Sequence, residues 1–132
     1  MDNCYNPVAD TEDMRAFAAG EQILNDIIRE VLEEIGVETI TIEPHINPEN
    51  ILDALRQDRF DLAIVTNSDF SPFALPDLIR QIKIEHPNMK VITISGYATK
   101  EIVNSVATAG TDVFMELPFK LKELQEVVKR FM

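Results

Sequence analysis

Hydrophobic positions along the chain fall into two alternating patterns: short unbroken runs, and longer stretches with a helical period. Residues 14–19 (MRAFAA) are a short apolar run and a strand candidate. Ile23, Leu24, Ile27, Ile28, Val31, Leu32 and Ile35 then recur at spacings of one, three and four, which predicts an amphipathic helix with one apolar stripe. Gly36 stands where a left-handed C-cap is wanted. Residues 37–42 (VETITI) are rich in β-branched side chains and read as a strand. Asn47-Pro48 is an N-cap followed by Pro at the first helical position. The helix it opens carries Ile51, Leu52 and Leu55 and ends near Asp58.

Residues 62–65 (LAIV) are apolar without alternation, as expected of a strand covered on both faces. Pro76 opens the next helix, with Leu78, Ile79 and Ile82 inward, and His86-Pro87-Asn88 stops it. Residues 91–94 (VITI) are another strand. Ile102, Val103 and Val106 mark a helix ended by Gly110. Residues 113–117 (VFMEL) are the last strand, and Leu121, Leu124, Val127, Val128 and Phe131 mark the closing helix. Strands alternating with helices in this way predict an α/β fold: a doubly wound, five-stranded parallel sheet with five flanking helices. Right-handed crossovers favour the order 2-1-3-4-5. A site in such a sheet lies at the C-terminal strand ends, where strands 1 and 3 diverge. That selects Ala19, Gly20, Glu21, residues 66–69, Ser95, Gly96, Leu117 and Pro118.

At 132 residues the chain is one domain, read as a loose polar tail over residues 1–13 and a folded unit over residues 14–132. The sole cysteine, Cys4, forms no internal disulfide or zinc cage. Apolar runs fall far short of the roughly 20 residues that span a bilayer. No basic segment followed by an apolar stretch opens the sequence, so a cytoplasmic protein is expected. The net charge is −11, which argues against direct nucleic-acid binding. The charge is uneven: residues 1–60 hold 14 acids and 4 bases, whereas residues 61–132 hold 9 and 8. Opposite ends of the fold should therefore present different faces.

Residues 91–119 (VITISGYATKEIVNSVATAGTDVFMELPF) resemble the second half of a response-regulator receiver domain. Ser95, Gly96, Ala109-Gly110, Asp112, Phe114, Pro118 and Phe119 fall in that family's register, and residues 61–65 (DLAIV) are similar to the strand that leads to its phosphoacceptor. The likeness covers residues 14–132 and implies the flavodoxin-like version of the fold above. It also implies a site: an acceptor Asp closing strand 3, an acidic metal-binding pair after strand 1, and a Lys before a cis-Pro. At those places stand Thr66, then Ala19 and Gly20 with only Glu21 beside them, and Leu117. A hydroxyl is a poor nucleophile without an activating base. Magnesium wants several hard oxygen ligands. Phosphoryl transfer depends almost wholly on positioning and charge. The hydroxyl of Ser95 and the aromatic of Phe114 are retained; Ser95 reads as a small polar strand end and Phe114 as packing. Asp69, three residues beyond Thr66, is the alternative acceptor; it reads more simply as a turn or cap residue.

His45 and His86 are the only histidines, both near a Pro in expected surface loops, and neither has a partner at metal-ligand spacing. The single Gly20 is too little for a dinucleotide fingerprint. Residues 36–65 are somewhat similar to cobalamin-binding domains, but no His precedes His45, so a cobalt-ligating loop after strand 1 is unsupported.

The expectation is thus a degenerate receiver of the two-component or phosphorelay type. It is not an enzyme, holds no metal or cofactor, and acts by protein–protein interaction. Its expected face is helix 4, strand 5 and helix 5, where Lys100, Lys120, Lys122, Lys129 and Arg130 stand among Glu101, Glu123 and Glu126. Helix 1 offers an opposing acidic face through Asp26, Glu30, Glu33 and Glu34. A homodimer is an open alternative, as are a phosphorylation-competent regulator using Asp69 and a small-molecule binder in the crevice. For the last, the small residues Ala19 and Gly20 leave room. Neither membrane nor nucleic acid is an expected partner.

Overall fold

Five β-branched or small-residue segments form the sheet, and each is followed by a helix. The computed structural model describes residues 14–42, 48–66, 74–96 and 99–132. The strands are β1 (Arg15–Ala19), β2 (Glu38–Ile42), β3 (Leu62–Thr66), β4 (Lys90–Ser95) and β5 (Val113–Glu116). The helices are α1 (Gln22–Glu33), α2 (Pro48–Gln57), α3 (Ala74–Glu85), α4 (Lys100–Ala109) and α5 (Leu121–Lys129). All strand pairs are parallel, in the order 2-1-3-4-5 that alternation predicted. The expected tail, with Cys4, lies outside the described residues, as do Asn47, His45 and Asp69.

The central strands are buried on both faces, so their side chains divide between two cores. Phe17, Ala19, Ala63, Val65 and Val91 pack with Ile51, Leu55, Leu75, Ile79, Ile82 and Val106 from α2, α3 and α4. Ala16, Ala18, Leu62, Ile64, Ile92 and Ile94 pack with Ile28, Val31, Leu32, Leu124 and Val128 from α1 and α5. The period-two alternation of a strand produces this division, and it explains why no polar face shows in the sequence. Each Val, Leu, Ile or Phe side chain among them contributes about 1.5–3 kcal/mol of burial. β1 runs through the middle on alanines, whose small size lets helices approach on both sides.

Gly36 does end the first helical segment. Its φ of +84° carries a Schellman turn, in which the Gly36 N–H donates to Glu33 and the Val37 N–H to Leu32. Gly110 ends α4 with φ +115°. The other end of α4 is capped by Thr99, whose Oγ1 accepts from the Ile102 N–H at 3.2 Å.

Three details depart from the sequence reading. Helix α3 begins at Ala74, so Pro76 sits inside its first turn and does not open it. The first four helical N–H groups have no intrahelical acceptor, so a missing one there costs nothing. β5 stops at Glu116, one residue before Leu117. His86 is half-buried, with a buried Nε2 that has no hydrogen-bond partner, and is not a fully exposed loop residue. No helix among the described residues is long and apolar enough to cross a membrane.

Candidate functional site

The parallel order brings the C-terminal ends of β1, β3 and β4 side by side. Ala19 pairs with Val65, Thr66 with Ile94, and Ser95 with Glu116. Thr66 therefore closes β3 beside the turn that follows β1, at the place the receiver likeness gives to the acceptor. It is fully buried, and its Oγ1 has no hydrogen-bond partner.

The two sides of the crevice are in contact. A Cβ added to Gly20 would stand 2.7 Å from Thr66 Cβ and 3.1 Å from Thr66 Oγ1. Real Cβ atoms do not approach so closely, so the position requires glycine for space. The sequence reading expects the small residues Ala19 and Gly20 to leave room here; beside Gly20, the Thr66 side chain occupies the space that a Cβ would take. Two grooves among the described residues lie elsewhere. One, about 700 Å³, runs between α3 and α4 past Pro76, Arg80, Ile102 and Ser105. The other, about 460 Å³, runs between α1 and α5 past Ile27, Val31, Leu121 and Gln125.

Asn25, which sequence reasoning missed, holds the turn after β1. Its Nδ2 donates to the Gly20 carbonyl at 3.0 Å and to the Ile42 carbonyl at 2.9 Å. The side chain thus ties the end of β2 to the turn. Asn25 is 2% exposed, and its Oδ1 has no partner. A signal was present: Asn25 lies three residues before Ile28 and seven before Leu32, a polar residue on the buried stripe of α1.

The remaining members are spread out. Ser95 is fully buried at the end of β4. Leu117 donates its N–H to the Ser95 carbonyl at 2.9 Å, and its half-buried side chain packs against the core on the α1/α5 side. The Leu117–Pro118 bond is cis. Phe114 is half-buried against the other core. Glu21 is exposed and makes no side-chain cap to α1. Among the described residues no three His, Cys, Asp or Glu side chains are grouped so that they could hold a metal ion. Thr66, Gly20 and Asn25 are brought together; Glu21, Leu117 and Phe114 are not part of that contact.

On the far faces, Lys100, Lys120, Lys122, Lys129 and Arg130 are all exposed, and none makes an ion pair among the described residues. The large apolar side chains left in solvent include Ile23 and Ile27 on α1 and Leu121 on α5.

No family model matches the chain. Solved structures do. A response regulator from Thermotoga maritima is 26% identical, covers 90% of this chain and 97% of its own, and superposes with a TM-score of 0.79. NtrX from Brucella abortus, solved in complex with ATP, is 25% identical with a TM-score of 0.75; it covers 89% of this chain, which spans 26% of NtrX. A CheY-like response regulator receiver domain protein from Methanospirillum hungatei has a TM-score of 0.77 at 22% identity, with coverage of 89% and 92%. Among curated proteins, the sensor kinase CckA of Brucella abortus (strain 2308) is 33% identical over 57 residues, which is 43% of this chain and 6% of the kinase. The chain thus has the fold of response-regulator receiver domains and is similar to them, as the likeness in residues 91–119 implied.

Proposed function

We propose that this domain keeps the receiver shape without receiver chemistry and works as a protein-interaction module. The observation that carries this reading is Thr66: a fully buried, unpartnered hydroxyl closes β3 where the family likeness places a carboxylate. Around it, Ala19 and Gly20 bear no carboxylate, and Leu117 bears no cation. Transfer of a phosphoryl group requires charge to be neutralised as it develops, and these residues offer none. The domain is not an enzyme and takes no metal or cofactor.

Receiver domains work with partner proteins. Here the face proposed for the partner is α4, β5 and α5. Its five exposed cations form a polar rim, and Leu121, 48% exposed at the start of α5, supplies an apolar contact. The exposed acids of α1 suit a different, basic surface. Direct nucleic-acid or membrane binding is not proposed, given the net charge of −11.

The test is intact-mass spectrometry after incubation with acetyl phosphate and Mg²⁺. The expected result is an unchanged mass. A gain of one phosphoryl group overturns the reading, and Asp69→Asn then shows whether Asp69 received it.

A further inference from the structure

We propose that Asn25 is a positioning residue that clasps the β1–α1 turn down onto Thr66, so that the crevice is shut sterically as well as poor in charge. The inference rests on the proposal of a receiver shape without receiver chemistry, and adds to it a cause that acts through space.

Three observations carry it. First, the Gly20 backbone and Thr66 Cβ are too close for any side chain at position 20. Every residue except glycine has a Cβ, so changing Thr66 to Asp leaves this pinch in place. Second, both protons of the Asn25 amide are spent on carbonyls, one in the turn and one at the end of β2. The turn cannot lift alone without breaking the bond to Gly20, nor together with the start of α1 without breaking the bond to Ile42. Third, the closed state buries two polar atoms with no partner, Asn25 Oδ1 and Thr66 Oγ1. Buried polar groups are ordinarily paired, and an unpaired one is destabilising. Water reaching either atom would relieve that penalty. The turn is therefore held by packing and by the clasp, while the hydration of these two atoms favours lifting it. Such opposed terms make a local two-state element. Removing the clasp shifts it toward the open state.

The experiment reads thiol accessibility at the crevice floor. In a Cys4→Ser background, Thr66→Cys places a thiol beneath the turn, and Val91→Cys places one in the core near the opposite end of the neighbouring strand as a control; both parent side chains are fully buried. Labelling by a maleimide is followed with and without Asn25→Ala. The expected result is labelling at position 66 faster by about tenfold or more in Asn25→Ala, with position 91 unchanged, the signature of local and not global opening. Equal rates at position 66 overturn the proposal. Acceleration at both positions also overturns it, since Asn25 would then act only on overall stability. If Asn25→Ala does not fold, Gly20→Ala serves instead: its methyl props the turn off β3, and position 66 is expected to accelerate well beyond the smaller rise at position 91 that its lower overall stability gives; equal acceleration at the two positions overturns the proposal. The phosphodonor experiment on the unaltered chain is run in parallel. A phosphorylated chain with selective labelling defeats the functional reading and leaves the clasp standing. An unphosphorylated chain without it defeats the clasp alone.

Discussion

Gly20 and Thr66 meet across the crevice so closely that a methyl group on Gly20 would sit 2.7 Å from Thr66 Cβ. The neighbour is the root of a side chain on a central, fully buried strand, which cannot swing aside. Gly20→Ala should therefore destabilise the domain by about 1–3 kcal/mol, the usual result of overpacking. In a Thr66→Gly background the same substitution should cost much less, because the opposing Cβ is gone. Urea denaturation of the four proteins of this cycle checks the coupling; equal costs in both backgrounds would show that the contact is absent in solution.

A second pair links α2 to α3 and sets an acid limit. Arg56 holds Glu85 through two bonds, Nε to Oε1 at 2.7 Å and Nη2 to Oε2 at 2.6 Å. The Arg56 hydrogen bonds, helped by Gln81, pull the Glu85 carboxyl down from 4.5 to about 2. A depressed carboxyl pKa stabilises the folded state above the unfolded value, and that contribution is lost as pH falls through the folded one. Stability should thus decline between about pH 4.5 and 2, and Glu85→Gln should flatten part of that decline. Denaturant midpoints of both proteins at several acid pH values check it; identical slopes would contradict it.

Asp112 is the third case. Its Oδ2 accepts from the buried Val91 N–H at 2.8 Å and from Lys83 Nζ at 3.1 Å, while Lys83 also donates to the Met89 carbonyl at 2.8 Å. This knot fixes the start of β4 against α3. Asp112→Ala leaves the Val91 N–H unpaired and should cost about 1–3 kcal/mol. Asp112→Asn keeps an acceptor and should cost less. Thermal melts of the two variants decide it, and a larger loss in the Asn variant would count against the assignment.

The fold was legible because its central strands are covered on both faces. LAIV at residues 62–65 and VITI at residues 91–94 have no polar side to hide them, and Gly36 and Gly110 mark helix ends by the backbone they permit. The site was legible only as a set of missing charges. Position along β3 placed Thr66 at the strand end, but nothing local revealed that its side chain meets Gly20, 46 residues away in sequence. Asn25 showed only as a polar residue on the apolar stripe of α1; its two acceptors, Gly20 and Ile42, lie on different elements and were not legible. Arg56 and Glu85 are 29 residues apart, and their bonds depend on how α2 and α3 pack. Periodicity tells which face is buried, not which residue stands opposite.

The crevice itself offers the most direct measurement. Amide chemical shifts of Gly20, Thr66 and Ser95 are followed as Mg²⁺ and beryllofluoride are added together. A pinched, uncharged crevice predicts no saturable change at any of the three. A saturable change at all three that requires Mg²⁺ would mean that the ion and the phosphoryl mimic enter after all, and would contradict the account.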